Sequence, residues 1–316
     1  MRARSLVWVA VLWCFCGIFL GVLFQRFLAK ESFFPKAGKN SSKSEILETK
    51  SVKPRSGVEI PRGVQGNLDL FILAGQSNMS GYGEIKVEEV ETVPRAFLFG
   101  NDYRWRQARE PVDDPTGQVD QVSQDTEAGY SCGTSFAKAF LKNYPNSFVG
   151  LIPCAKGGSP IEEWQRNLSE HSLYGSCLKR ALAASSMGKI RGLLFFQGET
   201  DALGPDFETQ RVKNPFQWKK KFSTFVSDFR KDLRIQDLPV VFAQIGSNKD
   251  PGAFRNWKVV QEEQRNVHLP NCRMIRTEDL ALRDVVHFDS AGYRIIGERF
   301  ASAITEILKE QAKHSK

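Results

Sequence analysis

Histidine is scarce in this chain, with four among 316 residues. A reaction that runs through an imidazole therefore has four candidates. Cysteine is sparse as well. Cys14 and Cys16 fall inside an apolar run, leaving Cys132, Cys154, Cys177 and Cys272. No pair among these has the spacing of zinc ligands, which argues against a metal centre. Four cysteines allow three pairings, and the sequence selects none of them. Also missing is a stripe of basic residues interleaved with aromatics. The formal charge is +8, but residues 1–64 carry 11 Lys/Arg against 4 Asp/Glu, while the remainder carries 33 against 32. The excess belongs to the amino-terminal segment, and nucleic acid is not an expected partner. There is no internal repeat, and no long apolar lid segment of the kind that would cover a lipid site.

The one long apolar run is "LVWVAVLWCFCGIFLGVLF", residues 6–24, which is uncharged throughout. About 20 such residues span a bilayer as a helix. A cleaved signal peptide has a shorter apolar core and a small-residue cleavage site, and "FQRFLAK" is a poor one. A single-pass membrane anchor is the expectation. Arg2 and Arg4 precede the run while Arg26 and Lys30 follow it, so flanking charge does not orient it. Glycosylation triplets at Asn40 and Asn167 favour a short cytosolic tail with the bulk lumenal or extracellular. Residues 28–64 are rich in Lys, Ser and Gly without apolar periodicity, and read as a solvated, flexible stalk.

From about residue 66, short apolar runs alternate with amphipathic segments. "LDLFILA" (68–74), "RAFLFG" (95–100), "SFVGLIP" (147–153), "RGLLFFQ" (191–197) and "PVVFAQI" (239–245) read as buried parallel strands. Helices are expected over 133–144, 172–186, 214–233 and 291–311. The alternation predicts an α/β fold, a three-layer α/β/α sandwich around a mainly parallel sheet. Such sheets bind ligands beyond the carboxyl ends of their strands. Four polar, glycine-punctuated loops belong there: "GQSNMSG", "CAKGGSPIEEW", "GETDA" and "LRDVVHFDSAGY".

Of the histidines, His314 lies in a polar tail, His268 adjoins a proline turn and His171 precedes a helix. His287 stands three residues after Asp284, close enough for a loop to fold the carboxylate onto the imidazole. Taken alone, Asp284 and Asp289 also suit turn or N-cap positions. Ser77, directly beyond the first strand, needs a base before it can act as a nucleophile. His287 supplies one. An oxyanion needs donors: the Ser77 amide, the Gly158 amide and the Gln197 side chain are the candidates. Glu199 and Asp201 could form the carboxylate pair of a glycosidase, but that reading leaves Ser77, Asp284 and His287 without a task. Glu199 reads instead as a structural hydrogen-bonder. Trp164 and Trp105 suit core packing at least as well as sugar stacking.

"GQSNM", "GGSPIEEW", "QGETD" and "DVVHFD", in this order, resemble the blocks of SGNH-type hydrolases, and more narrowly the sialate O-acetylesterase-like group, carbohydrate esterase family six. The resemblance covers roughly residues 68–300. It implies an SGNH, flavodoxin-like fold for the domain expected over residues 65–312, which follows the tail and anchor that the apolar run suggests over 1–27. It further implies Ser77 as nucleophile, His287 as base, Asp284 as the acid that orients it, and an oxyanion hole of Ser77, Gly158 and Gln197. Ser159 and Phe196 replace the family's usual Thr and Tyr without touching this chemistry. The implied substrate is an O-acetylated carbohydrate, with no metal or organic cofactor. The rival readings are a catalytically silent, membrane-tethered sugar-binding protein and a lipid or thioester hydrolase of the same fold.

Overall fold

The apolar run that begins at Leu68 becomes β1 (Leu68–Gly75), buried along nearly its whole length. The computed structural model describes residues 60–86, 90–204 and 214–314. The expected tail and anchor, and most of the expected stalk, lie outside the described residues. Among the described residues, no helix is long and apolar enough to cross a membrane.

Among the described residues, six further strands join β1: β2 (Ala96–Phe99), β3 (Trp105–Gln107), β4 (Phe148–Pro153), β5 (Gly188–Phe196), β6 (Val240–Ala243) and β7 (Cys272–Ile275). Their order is β3-β2-β4-β1-β5-β6-β7. Among the described residues, only the β2–β3 strand pair is antiparallel. β1 is hydrogen-bonded to β4 on one side and β5 on the other, all parallel. The chain builds first to one side of β1 and then to the other. Its carboxyl end is therefore the switch point at which open α/β sheets form their crevice.

Side chains alternate across a strand, so β1 divides its residues between two cores. Leu68, Leu70, Ile72 and Ala74 pack on one face with Trp164, Trp218 and Phe225. Phe71 and Leu73 pack on the other with Phe136, Phe140, Phe300 and Ile304. The helices supply these partners in two layers. A helical turn, α1 (Ser77–Ser80), follows β1. The first layer is made by α3 (Leu173–Ala184), α4 (Trp218–Leu233) and α5 (Trp257–Arg265). The second is made by α2 (Gly133–Asn143) and α6 (Ser290–His314). In α4, Trp218, Phe222, Phe225, Val226, Phe229 and Leu233 are buried, the spacing of one helical face. Ser172 caps α3 by accepting the Gly175 amide at 3.0 Å, and Asp289 caps α6 by accepting that of Gly292 at 2.7 Å.

The three-layer arrangement with a mainly parallel sheet agrees with the sequence pattern, as do all five expected strands. β3, β7, α1 and α5 are additional. Cys132, Cys154, Cys177 and Cys272 are all free thiols, so none of the three possible pairings is made.

Candidate active site

β1 ends at Gly75, where φ is +138° and an added Cβ would overlap the carbonyl of Phe196 at the end of β5. Only glycine lets the two strand ends close this tightly. The Gln76 amide then donates to the Phe196 carbonyl at 2.8 Å, and the chain turns into α1 with Ser77 as its first residue. A first helical residue has no carbonyl behind it to accept its amide. Ser77 thus presents a hydroxyl and an N–H from one position at the sheet edge.

His287 reaches this serine from a loop 210 residues later, its Nε2 standing 2.9 Å from Ser77 Oγ. Its Nδ1 lies 2.8 Å from Asp284 Oδ2 and 3.0 Å from Oδ1. Asp284 Oδ1 also accepts the amides of Val286 at 3.0 Å and His287 at 2.9 Å. Partial burial pushes the Asp284 carboxyl up, but the bonds and charge of His287 and these two amides outweigh it and bring it down to about 2. An ionised carboxylate only accepts, so Nδ1 carries the imidazole proton and Nε2 offers its lone pair to the serine hydroxyl. Ser77 and His287 are buried, whereas the Asp284 side chain is 44% exposed. Asp284 is no N-cap; Asp289 is.

The Tyr82 ring lies against the imidazole, with centroids 4.4 Å apart and planes inclined by 28°. Asn78, next to the nucleophile, donates to Glu199 Oε1 and to the Val286 carbonyl, and accepts from the Tyr293 hydroxyl. It is buried, as a glycosylation acceptor is not. Burial pushes the Glu199 carboxyl above the usual carboxylate range, with the Asn78 bond opposing. Glu199 is a structural hydrogen-bonder, as expected. Trp164 is a core residue, fully buried, while Asn167 is exposed.

Gly158 is exposed in a turn with φ of +69°. The Lys156 amide donates to the Gly75 carbonyl at 2.9 Å, which pins this turn beside the end of β1. Gln197 departs from its expected place in the oxyanion hole. Its Nε2 donates to Asp201 Oδ2, to the Ser159 carbonyl at 3.0 Å and to Gln76 Oε1 at 3.3 Å. Its Oε1 accepts the Trp218 indole N–H at 2.8 Å, and the side chain is fully buried. Chain acceptors use its amide hydrogens, and no solvent-facing surface remains for an incoming carbonyl. Sequence reasoning overlooked Gln76 as the anchor here. Its Oε1 also accepts the amides of Gly198 and Thr200, each at 3.3 Å. Tyr82 was overlooked as well, since a tyrosine in a glycine-rich loop carries no motif signal.

Residues 67–306 match the family model described as carbohydrate esterase, sialic acid-specific acetylesterase. The chain belongs to this family. It is a carboxylic ester hydrolase, of the SGNH type. A relative from Arabidopsis thaliana, described as a "probable carbohydrate esterase", is 29% identical over 255 residues, spanning 74% of this chain and 89% of the relative. A crystal structure from the same plant superposes with a TM-score of 0.63 at 28% identity, covering 76% of this esterase and 98% of the plant protein. The crystal structure of NanS gives a TM-score of 0.59 at 18% identity, covering 78% of this chain and 99% of NanS. At that identity the likeness is one of fold. Among the described residues, no group of three or more His, Cys, Asp or Glu side chains could hold a metal ion.

Proposed function

We propose that this esterase removes O-acetyl groups from a carbohydrate through an acetyl-enzyme on Ser77. The observation that carries the reading is the chain of contacts from Ser77 Oγ through His287 to Asp284, at 2.9 and 2.8 Å. His287 Nε2 takes the hydroxyl proton as Ser77 Oγ bonds to the acetyl carbon. Asp284 holds the ring in the required tautomer and balances the imidazolium charge. The amides of Ser77 and Gly158 are assigned to the developing oxyanion, with the pinned turn and the φ of Gly158 in support. Collapse of the adduct breaks the bond to the sugar oxygen, which leaves with the proton from His287. Water then gives its proton to His287 and attacks the acetyl carbon, and acetate departs as Ser77 regains its proton.

The family description makes O-acetylated sialic acid the first substrate to try, ahead of acetylated plant polysaccharides. Acetate release from a panel of such glycans, with Ser77→Ala beside the unaltered chain, tests the reading. Loss of turnover and of fluorophosphonate labelling in a folded Ser77→Ala protein is expected; retained turnover would refute the mechanism. A silent sugar-binding protein would take up no probe, and a lipid or thioester hydrolase would release no acetate from glycans. The apolar run over residues 6–24 supports a membrane tether with the catalytic domain lumenal or extracellular. Resistance of the full chain to carbonate extraction, lost on deletion of residues 1–27, tests that part.

A further inference from the structure

Asp125 lies in the loop between β3 and α2, outside every motif discussed above, and is 3% exposed. Its carboxylate gathers donors from several separate segments. Oδ2 accepts the Ser80 hydroxyl at 2.7 Å and the Gly157 amide at 2.8 Å. Oδ1 accepts the Tyr82 hydroxyl at 3.0 Å and the Glu127 amide at 3.3 Å. All four are neutral donors, so what the carboxylate provides is a fixed set of acceptors rather than an ion pair.

Each of the three non-local partners adjoins a reacting group. Ser80 closes the helical turn that Ser77 begins. Tyr82 carries the ring stacked on His287. Gly157 precedes Gly158 in the turn pinned to Gly75. The junction is also tightly closed. A Cβ on Gly157 would stand 2.6 Å from the Tyr82 hydroxyl oxygen and 2.8 Å from Asp125 Oδ2. Real Cβ contacts are not that short, so any side chain at 157 must push the turn, the ring or the carboxylate aside.

We propose that Asp125 is a positioning residue for the esterase reaction, setting the Gly157–Gly158 turn and the Tyr82 ring against the Ser77–His287 pair through one buried carboxylate. The inference rests on the Ser77 reading, because Gly158 matters to the reaction only if an oxyanion forms beside Ser77. Misplacing a reacting group by about 1 Å can cost on the order of 100-fold in rate, and removing an oxyanion donor costs 100- to 1,000-fold. Asp125 acts on placement, so the lower part of that span applies. An asparagine can keep an oxygen toward Gly157 and Ser80 while its amide donates to the Tyr82 oxygen. Asp125→Asn should therefore rescue most of what Asp125→Ala loses.

The test measures kcat and KM for an aryl acetate, with thermal unfolding, on the full chain and on Asp125→Ala, Asp125→Asn, Gly157→Ala and Ser77→Ala. Expected are kcat values roughly 10- to 100-fold lower for Asp125→Ala and Gly157→Ala, KM within about threefold, and Asp125→Asn within about fivefold of the unaltered chain. Gly157→Ala keeps the carboxylate and decides the matter should Asp125→Ala fail to fold. A folded Asp125→Ala or Gly157→Ala protein with kcat within twofold of the unaltered chain overturns the proposal. So does an Asp125→Asn protein as slow as a folded Asp125→Ala, which would assign the effect to charge. Activity surviving in Ser77→Ala is a different failure, that of the acetyl-enzyme reading itself.

Discussion

Asn78 Nδ2 stands 3.1 Å from the Val286 carbonyl oxygen, a bond between the residue after the nucleophile and the residue before the base. It joins α1 to a loop residue 208 positions later, one residue away from each reacting side chain. The same amide donates to Glu199, and its oxygen accepts from Tyr293, so the link is braced from both ends of Asn78.

Asn78→Ala should therefore loosen the Ser77–His287 contact and leave the buried Glu199 carboxyl without its side-chain donor. A buried group stranded in this way costs about 1–3 kcal/mol, and kcat should fall roughly 10- to 100-fold as alignment is lost. Urea unfolding and initial rates on an aryl acetate read the two effects separately.

Asp284→Asn replaces an acceptor with a group that can donate toward Nδ1. The imidazole then no longer reliably holds its proton on that side. By comparison with other serine hydrolases, kcat should fall on the order of 10,000-fold with little change in KM. Asp284 also links stability to acidity. Its folded value of about 2 lies below the ordinary 3.8. The contribution is present above about pH 4 and is lost as pH falls toward 2. Unfolding midpoints across that window should drop more for the unaltered chain than for Asp284→Asn.

Asp113 should act in the opposite sense. Burial raises its carboxyl from 3.8 to about 7, against the Asn101 hydrogen bond and Arg180, and Oδ2 has no hydrogen-bond partner among the described residues. A raised carboxyl contributes stability that is full below about pH 4 and is lost as pH rises through 7. Asp113→Asn should flatten this decline. Denaturant unfolding at pH 5, 6, 7 and 8 checks it; an equal slope in both proteins would dismiss the assignment.

Gln197→Ala discriminates between the expected role of Gln197 and the observed one. Loss of an oxyanion donor would cut kcat about 100- to 1,000-fold in a stable protein. The structure leads to another outcome. The Trp218 N–H and the Asp201 carboxylate lose partners, stability falls by about 2–4 kcal/mol, and kcat of the folded fraction stays within about tenfold. Calorimetry with rate measurements below the melting temperature separates the two.

The parts of the fold legible in the sequence were those whose burial is expressed as apolar residues. β1 and the four-aromatic face of α4 are of this kind. α5 escaped notice because glutamines do work there that apolar residues usually do. Gln261 donates to the carbonyls of Ile245 and Gly246, and Gln264 accepts the Ile245 amide, so both are buried and polar. β3 and β7 are short, only partly buried and interrupted by Arg106, Gln107 and Arg273, so no continuous apolar run marks them. Ser77, Asp284 and His287 were legible because their spacing and residue types suit one chemistry. Gln197 shows the limit. A motif fixes which residue is present, but the contacts of Asp201 and Trp218 determine where its amide points. Asp125 had no signal at all, since its partners Ser80, Tyr82 and Gly157 meet it only in three dimensions.

The sheet order places the two halves of the Ser77–His287 contact at opposite extremes of protection. Ser77 leaves the central strand, paired on both sides, whereas His287 follows β7 at the rim. Fraying that starts at this rim would carry away the imidazole while the serine kept its native setting. Mild heating should thus leave a silent enzyme that revives on cooling. Amide hydrogens of residues 272–275 would exchange in that state, and those of residues 70–74 would not.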